Sequence, residues 1–266
     1  MPGQTLDLKS FKIPLGKLSP LETFRTRQGD VLSYRLYPAW SDNLIVLYHG
    51  VGSDSRYMCV LATAMAQAGL GTVVTPDLRG HGASLNAADP LSQHQFEIDL
   101  EELIIHIKMT RAVSRVMLAG HSLGGGFVLR VAVSDIRRQF ARFLAISPYL
   151  PPSLNVFRED FGGWISPDGN GGFKVNMPVE FVSGQEKLTY SAAYLAAVTP
   201  SKNILADLQK LQPPVQVVVA ELDELIIPQR QVQLFTDAGA NIRVVKDLNH
   251  LTIVSKPDVW LPEISL

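Results

Sequence analysis

Apolar residues fall in two rhythms along this chain. One is a series of short, uninterrupted runs: Leu44-Ile45-Val46-Leu47-Tyr48, Thr72-Val73-Val74-Thr75, Val116-Met117-Leu118-Ala119, Phe143 to Ile146, Val215 to Ala220 and Ile242 to Val245. Runs this short, with no polar alternation, predict strands buried on both faces. The other rhythm is helical. Tyr57, Val60, Leu61, Ala64, Met65 and Ala68 share one face, and Gly69 and Gly71 end that helix. Phe96, Leu100, Leu103, Ile104 and Ile107 form a second stripe. Further helices are expected from Leu123 to about Asp135, over Gln229 to Ala238, and in a short piece from about Lys256. Thr23 to Arg27 and Val31 to Tyr37 flank Gln28-Gly29-Asp30, which reads as a hairpin. Residues 1–20 read as an arm. Strands alternating with helices predict an α/β fold, a mostly parallel twisted sheet with helices on both faces.

The alternation breaks between Tyr149 and Leu211. Five glycines from Gly162 to Gly172 crowd a segment with Pro167 and Asp168, and a helix is expected over Tyr190 to Ala197. The pattern predicts two units: a core of residues 1–148 and 212–266, and a small cap insertion of residues 149–211. Glycine leaves the backbone more freedom than any other residue, so a mobile cap is expected.

Composition narrows the classes. With 266 residues, 46% hydrophobic and 18% charged, there is ample material for a core. The net charge of −1 gives no electrostatic footprint for nucleic acid. The single cysteine, Cys59, excludes an internal disulfide and is expected to pack in a helix as a small apolar residue. The first residues do not pattern as a leader, and no apolar run is long enough to span a bilayer, so a cytoplasmic protein is expected. No metal motif or dinucleotide fingerprint occurs, and no cofactor is expected.

The chemistry sits where one strand meets one helix. Gly120-His121-Ser122-Leu123-Gly124 fits G-x-S-x-G, and here the motif is preceded by a strand pattern and followed by a helical one. That context turns a common five-letter match into a nucleophile elbow, with Ser122 at its apex. An activated serine needs a base, and the base needs an orienting acid. Asp223 follows the run Val215 to Ala220, and His250 follows the run Ile242 to Val245, so all three lie at the carboxyl ends of predicted parallel strands. Asp223 is preferred as the acid on loop position, with Glu224 and Glu221 beside it as alternatives. Val51, after His49-Gly50, and Leu123, after the nucleophile, would supply the two backbone N–H donors of an oxyanion hole. His49, His81, His121, Asp77 and Arg79 are read as loop-shaping residues, and His94 and His106 as helix-surface ones.

Tyr48-His49-Gly50, the stretch Pro76-Asp77-Leu78-Arg79-Gly80-His81-Gly82-Ala83-Ser84, Gly120-His121-Ser122-Leu123-Gly124-Gly125, and Asp223 with His250 carry a resemblance. Across residues 31–148 and 213–256 the chain resembles the α/β-hydrolase superfamily, and within it the monoacylglycerol lipase, lysophospholipase and serine aminopeptidase-like group. Asp247 stands where that group often has glycine, and residues 149–211 carry none of its motifs. The resemblance implies a serine hydrolase that cleaves a carboxylic ester through an acyl-enzyme. Thioesterase, carbon–carbon hydrolase, haloperoxidase-like and non-catalytic binding roles share the fold. The expected partner is a small-molecule ester with an apolar acyl part, its pocket lined by Tyr149, Phe157, Phe161 and Trp164 of the cap.

Overall fold

The structure is a computed structural model that describes Pro14, Gly16 and residues 18–158, 163–179 and 182–263. Eight strands form one sheet: β1 (Leu21–Arg25), β2 (Val31–Tyr37), β3 (Asn43–Tyr48), β4 (Thr72–Pro76), β5 (Arg115–His121), β6 (Arg142–Ile146), β10 (Gln216–Ala220) and β11 (Asn241–Val245). Their spatial order is β1-β2-β4-β3-β5-β6-β10-β11. The β1–β2 hairpin and the β2–β4 pair are antiparallel, and every later pair is parallel. The expected α/β fold with its mostly parallel sheet is therefore present.

Side-chain alternation assigns each strand residue to one of two cores. Leu44, Val46, Tyr48, Val116, Leu118, Val217 and Val219 join a cluster with α2 (Gln95–Lys108), α3 (Leu123–Ala132) and α6 (Pro228–Asp237). Ile45, Leu47, Met117, Ala119, Val218 and Ala220 face the other way, against α1 (Cys59–Gln67), α7 (Thr252–Ser255) and Trp260. Cys59 is buried in that second core. Among the described residues no helix is long and apolar enough to cross a membrane.

Between β6 and β10 the chain leaves the main sheet. It forms a separate antiparallel sheet of β7 (Ile165–Pro167), β8 (Phe173–Val175) and β9 (Thr189–Tyr190), then α4 (Ala192–Val198) and α5 (Ile204–Leu208). The glycines there build turns. The Asp168 carboxylate accepts the N–H groups of Asn170 and Gly172, each at 2.8 Å, closing the β7–β8 hairpin, and Gly169 and Gly171 take φ of 82° and 81° inside it. Gly162 lies outside the described residues.

One expected element is corrected, and one helix is added. Tyr190 ends a strand rather than starting a helix, because Phe173 pairs with it across β8. Ser191 then caps α4 by accepting the Tyr194 N–H at 3.1 Å. A short 3-10 turn over Pro257–Val259 lies where the last helix is expected, and a further helix, α7, precedes it from Thr252. The Asn249 side chain accepts the Thr252 N–H at 2.8 Å at the start of α7, and Pro257, with no N–H, follows its end.

The loop after β4 is locked from within. Arg79, fully buried, donates to both Asp99 oxygens at 2.6 and 2.8 Å and to Asp30 at 2.5 Å. Asp77 accepts from the Ser33 hydroxyl and from the N–H groups of Ser55 and Ala83. Both residues hold the loop, as the sequence suggests. Removing Arg79 would strand the Asp99 carboxylate, whose pKa burial already pushes up. Arg79→Ala is expected to cost about 3–5 kcal/mol in a denaturant titration, and Asp30→Asn, at the more exposed end of the pair, clearly less.

Candidate active site

The site is built where backbone approaches backbone with no side chain between. A Cβ at Gly120 would lie 2.4 Å from the Gly124 carbonyl carbon, and one at Gly124 would lie 2.6 Å from the His49 oxygen. Glycine at both positions lets β5, α3 and the loop after β3 meet. Ser122 sits at the turn with φ 54° and ψ −116°. That conformation is costly for a side chain bearing Cβ. It is held by three main-chain bonds: Ser122 N–H to the Ile146 carbonyl at 2.9 Å, and the Gly126 and Tyr149 N–H groups to the Ser122 carbonyl at 2.9 and 2.8 Å.

The loop after β3 lies directly against this turn. A Cβ at Gly50 would come within 3.0 Å of Ser122 Cβ. His49 fixes the loop from both ring nitrogens. Its Nε2 accepts the Leu78 N–H at 3.1 Å, so its Nδ1 carries the proton and donates to the Gly50 carbonyl at 2.9 Å. The His49 carbonyl accepts the Gly124 N–H at 3.1 Å. Leu123 opens α3, so its N–H is one of the helix's first four, which have no acceptor within the helix.

On the far side, Asp223 Oδ2 lies 2.7 Å from His250 Nδ1, with both residues buried. The other Asp223 oxygen accepts the N–H groups of Leu225 and Ile226 at 3.0 and 2.9 Å. Glu224, one of the alternative acids, reaches the same histidine elsewhere: its carboxylate accepts the His250 backbone N–H at 2.9 Å. Burial pushes its pKa up, against the pull of that N–H. Glu221, the other alternative, accepts the Asp247 N–H at 3.2 Å. Asp247 has φ of 58°, left-handed backbone in which a glycine would be unstrained and which aspartate tolerates better than most residues.

Four histidines crowd the site, and their partners set their charge. Burial pushes the pKa values of His49, His81 and His121 down. His81 Nδ1 donates to the Arg79 carbonyl at 3.0 Å. His121 Nε2 donates to the His250 carbonyl at 2.8 Å, and its ring lies 4.7 Å from the His250 ring, between centroids. His250 alone has a raised pKa. Burial pushes it down, but the charge and hydrogen bond of Asp223 outweigh that. Of the two helix histidines, His94 is exposed, while His106 is partly buried against Phe24 and the Tyr34 hydroxyl.

Ser122 and His250 line one cavity of about 40 Å³, together with the loop residues Gly50, Val51 and Gly52 and the apolar Met58, Leu225, Leu251 and Val254. Trp164 and Met177 from the β6–β10 segment also line it. Of the three described among the four aromatic residues expected there, only Trp164 does so. Tyr149 and Phe157 pack on each other at 5.1 Å between ring centroids, and Phe161 lies outside the described residues. Met177, Leu225, Leu251 and Val254 carried no signal in the sequence beyond being apolar. Among the described residues no group of three or more His, Cys, Asp and Glu side chains is placed to hold a metal ion.

A family model described as "Alpha/beta hydrolase family" matches residues 44–263. Over 113 residues the chain is 33% identical to uncharacterised proteins of Mycobacterium tuberculosis and Mycobacterium bovis. That stretch is 42% of this chain and 31% of each relative, so the chain spans less than a third of their length. Solved structures of similar fold include a soluble variant of monoglyceride lipase from Saccharomyces cerevisiae in complex with a substrate analog. Its TM-score is 0.67 at 16% identity, over 92% of this chain and 95% of that one. The alpha/beta hydrolase GrgF from a Penicillium species superposes with a TM-score of 0.64 at 20% identity, covering 89% and 92% of the two chains. A putative aryl esterase from Burkholderia cenocepacia has a TM-score of 0.64 at 15% identity, covering 90% and 94%. These likenesses are likenesses of fold. Together with a family model that spans most of the chain, they lead to one assignment: this chain belongs to the alpha/beta hydrolase family.

Proposed function

We propose that this protein is a carboxylic ester hydrolase that works through an acyl-enzyme on Ser122, with His250 as base and Asp223 as its orienting acid. The observation that carries the reading is the Asp223–His250 contact of 2.7 Å behind a cavity lined by both His250 and Ser122. In the reaction, Ser122 Oγ attacks the ester carbonyl carbon as His250 Nε2 takes its proton. The oxyanion that forms is stabilised by the N–H groups of Val51 and Leu123. Collapse expels the alcohol, which receives the proton from His250. Water, deprotonated by the same histidine, then attacks the acyl-serine, and collapse releases the carboxylic acid as His250 returns the proton to Ser122 Oγ. Asp223 stabilises the imidazolium and keeps the neutral ring in its Nδ1–H tautomer, leaving Nε2 free to accept.

The size of the cavity shapes the substrate reading. One water needs about 10–15 Å³ of such space, so about 40 Å³ accommodates roughly three water-sized groups. That favours a short apolar acyl part, acetyl to butyryl, over a long chain. The alcohol portion is left open by the same reasoning. The yeast monoglyceride lipase and the Burkholderia putative aryl esterase are consistent with an ester substrate.

The first test is covalent. Ser122→Ala is expected to cost on the order of 10⁴-fold or more in kcat and to abolish labelling by a fluorophosphonate, with the fold unchanged. Labelling that survives the substitution would remove Ser122 from the reaction.

The pH dependence follows from His250. The base must be neutral to act, and Asp223 raises its pKa above the ordinary value of about 6.5. The acid limb of kcat/KM is therefore expected above pH 6.5, activity rising with pH through it. Asp223→Asn should lower activity by orders of magnitude and move that limb to lower pH. Glu224→Gln should be mild, because the amide oxygen can still accept the His250 N–H. The opposite ranking of these two variants would reassign the acid.

A p-nitrophenyl ester series measures the pocket. From acetate to butyrate, kcat/KM should rise by at most a few-fold per methylene, in line with about 0.8 kcal/mol for each buried CH₂, and then fall. Trp164→Ala should shift the optimum to longer chains. A steady rise to decanoate in the wild type would show that the cavity opens, and that the short-acyl reading is wrong.

A further inference from the structure

We propose that Tyr190 is a positioning residue for the oxyanion loop, so that the β6–β10 segment takes part in catalysis as well as in lining the pocket. The proposal rests on the reading of Val51 as an oxyanion donor. Tyr190 comes from β9, far from Ser122 in sequence, and is fully buried. Its hydroxyl accepts the Gly52 N–H at 2.8 Å. Gly52 follows Val51 directly and holds φ of 60°. The same hydroxyl lies 2.6 Å from His81 Nε2. Because His81 Nδ1 donates to the Arg79 carbonyl, Nε2 is the acceptor, and the hydroxyl must donate to it.

The direction of each bond is therefore settled along a chain of four groups. Gly52 N–H donates to the Tyr190 oxygen, Tyr190 O–H to His81 Nε2, and His81 Nδ1–H to the Arg79 carbonyl. The far end is anchored, since Arg79 is held by Asp99 and Asp30 and its carbonyl also accepts from the Tyr194 hydroxyl at 3.0 Å. Burial keeps both Tyr190 and His81 neutral, as this pattern requires.

Elsewhere the loop is held at Gly50, whose carbonyl accepts from His49 Nδ1 and from the Ser53 hydroxyl, each at 2.9 Å, whereas the Gly52 amide is held by Tyr190. Val175 and Met177 of the same segment lie 3.3 and 3.2 Å from where a Gly52 Cβ would be, which limits the loop sterically but without direction. Tyr190 supplies the directional restraint. A donor to an oxyanion acts only when its N–H is already placed, so releasing the Gly52 amide should lower transition-state binding more than substrate binding.

The test compares two variants that each remove one buried hydroxyl. Tyr190→Phe keeps the ring that packs on Phe173 at 4.8 Å and on Tyr194 at 5.3 Å. Tyr34→Phe removes a hydroxyl, bonded to Glu22 and close to His106, that lies outside this chain of bonds. Each is assayed on a p-nitrophenyl ester, titrated with a trifluoromethyl ketone that forms a tetrahedral oxyanion on serine, and checked by thermal unfolding. Tyr190→Phe is expected to lose 10- to 100-fold in kcat, with KM changed less than twofold. Its affinity for the ketone should fall by the same factor as kcat/KM. Tyr34→Phe should stay within threefold of wild type in all three.

Equal losses in the two variants would make the effect a general loss of packing and overturn the proposal. So would a Tyr190→Phe variant with wild-type kcat and ketone affinity. If the wild type itself neither hydrolyses esters nor binds the ketone, the esterase reading fails and the proposal goes with it. Wild-type activity with no effect at Tyr190 overturns the proposal alone.

Discussion

A single main-chain hydrogen bond, Gly124 N–H to the His49 carbonyl at 3.1 Å, joins the turn that carries Ser122 to the loop that carries Val51. It forms only because residues 120 and 124 have no side chains, as a Cβ at either would meet backbone at 2.4 to 2.6 Å. Backbone is less adaptable than side chain, so this close approach dictates the relative position of β5, α3 and the loop after β3. The unusual φ of Ser122 follows from the same demand, since β5 must give way to α3 within one residue. The strain is offset by the three main-chain bonds on Ser122, one of which reaches Ile146 at the end of β6. The sheet therefore holds the serine in place through its neighbouring strand.

The same economy of position governs charge. Four imidazoles lie in or beside the site, yet only one sits against a carboxylate. His49, His81 and His121 each spend a nitrogen on a carbonyl, and burial disfavours their charged forms. They serve as neutral, shaped spacers with one donor and one acceptor each. His250 has Asp223 on its Nδ1 and is the one ring whose proton affinity is raised. Of the two imidazoles that line the cavity with Ser122, burial disfavours the charged form of His121, while Asp223 favours that of His250. Glu224 brings a second carboxylate close, but it is directed at the His250 main chain, where it fixes the loop rather than the ring.

Much of this was legible in the sequence, because it depends on local pattern. Strands buried on both faces read as apolar runs, and all of the expected core strands are present within one or two residues. The glycines around Ser122 and the positions of Asp223 and His250 after strands were readable for the same reason. What could not be read depends on pairing at a distance. Tyr190 falls in a stretch with helical spacing, and only Phe173, across a hairpin, makes it a strand residue. The start of α7 depends on the Asn249 side chain, and the tolerance of Asp247 on its left-handed backbone. The choice between Asp223 and Glu224 turns on which carboxylate meets a ring and which meets an amide, a matter of side-chain direction that adjacent positions do not encode.

The segment between β6 and β10 shows how composition can mislead about use. Its glycines suggest mobility and its aromatics suggest a deep acyl pocket. The glycines at 169 and 171 instead occupy left-handed positions of a hairpin whose Asp168 holds the turn closed. Phe173, Tyr190 and Tyr194 pack on one another, and Tyr149 packs on Phe157, so most of the aromatic surface is consumed within the protein. Trp164 is left to face Ser122 across a cavity of about 40 Å³. Tyr190 in this segment is itself anchored by His81, whose other ring nitrogen is held by the Arg79 carbonyl, and a hydrogen bond can position a loop only when its own anchor is held.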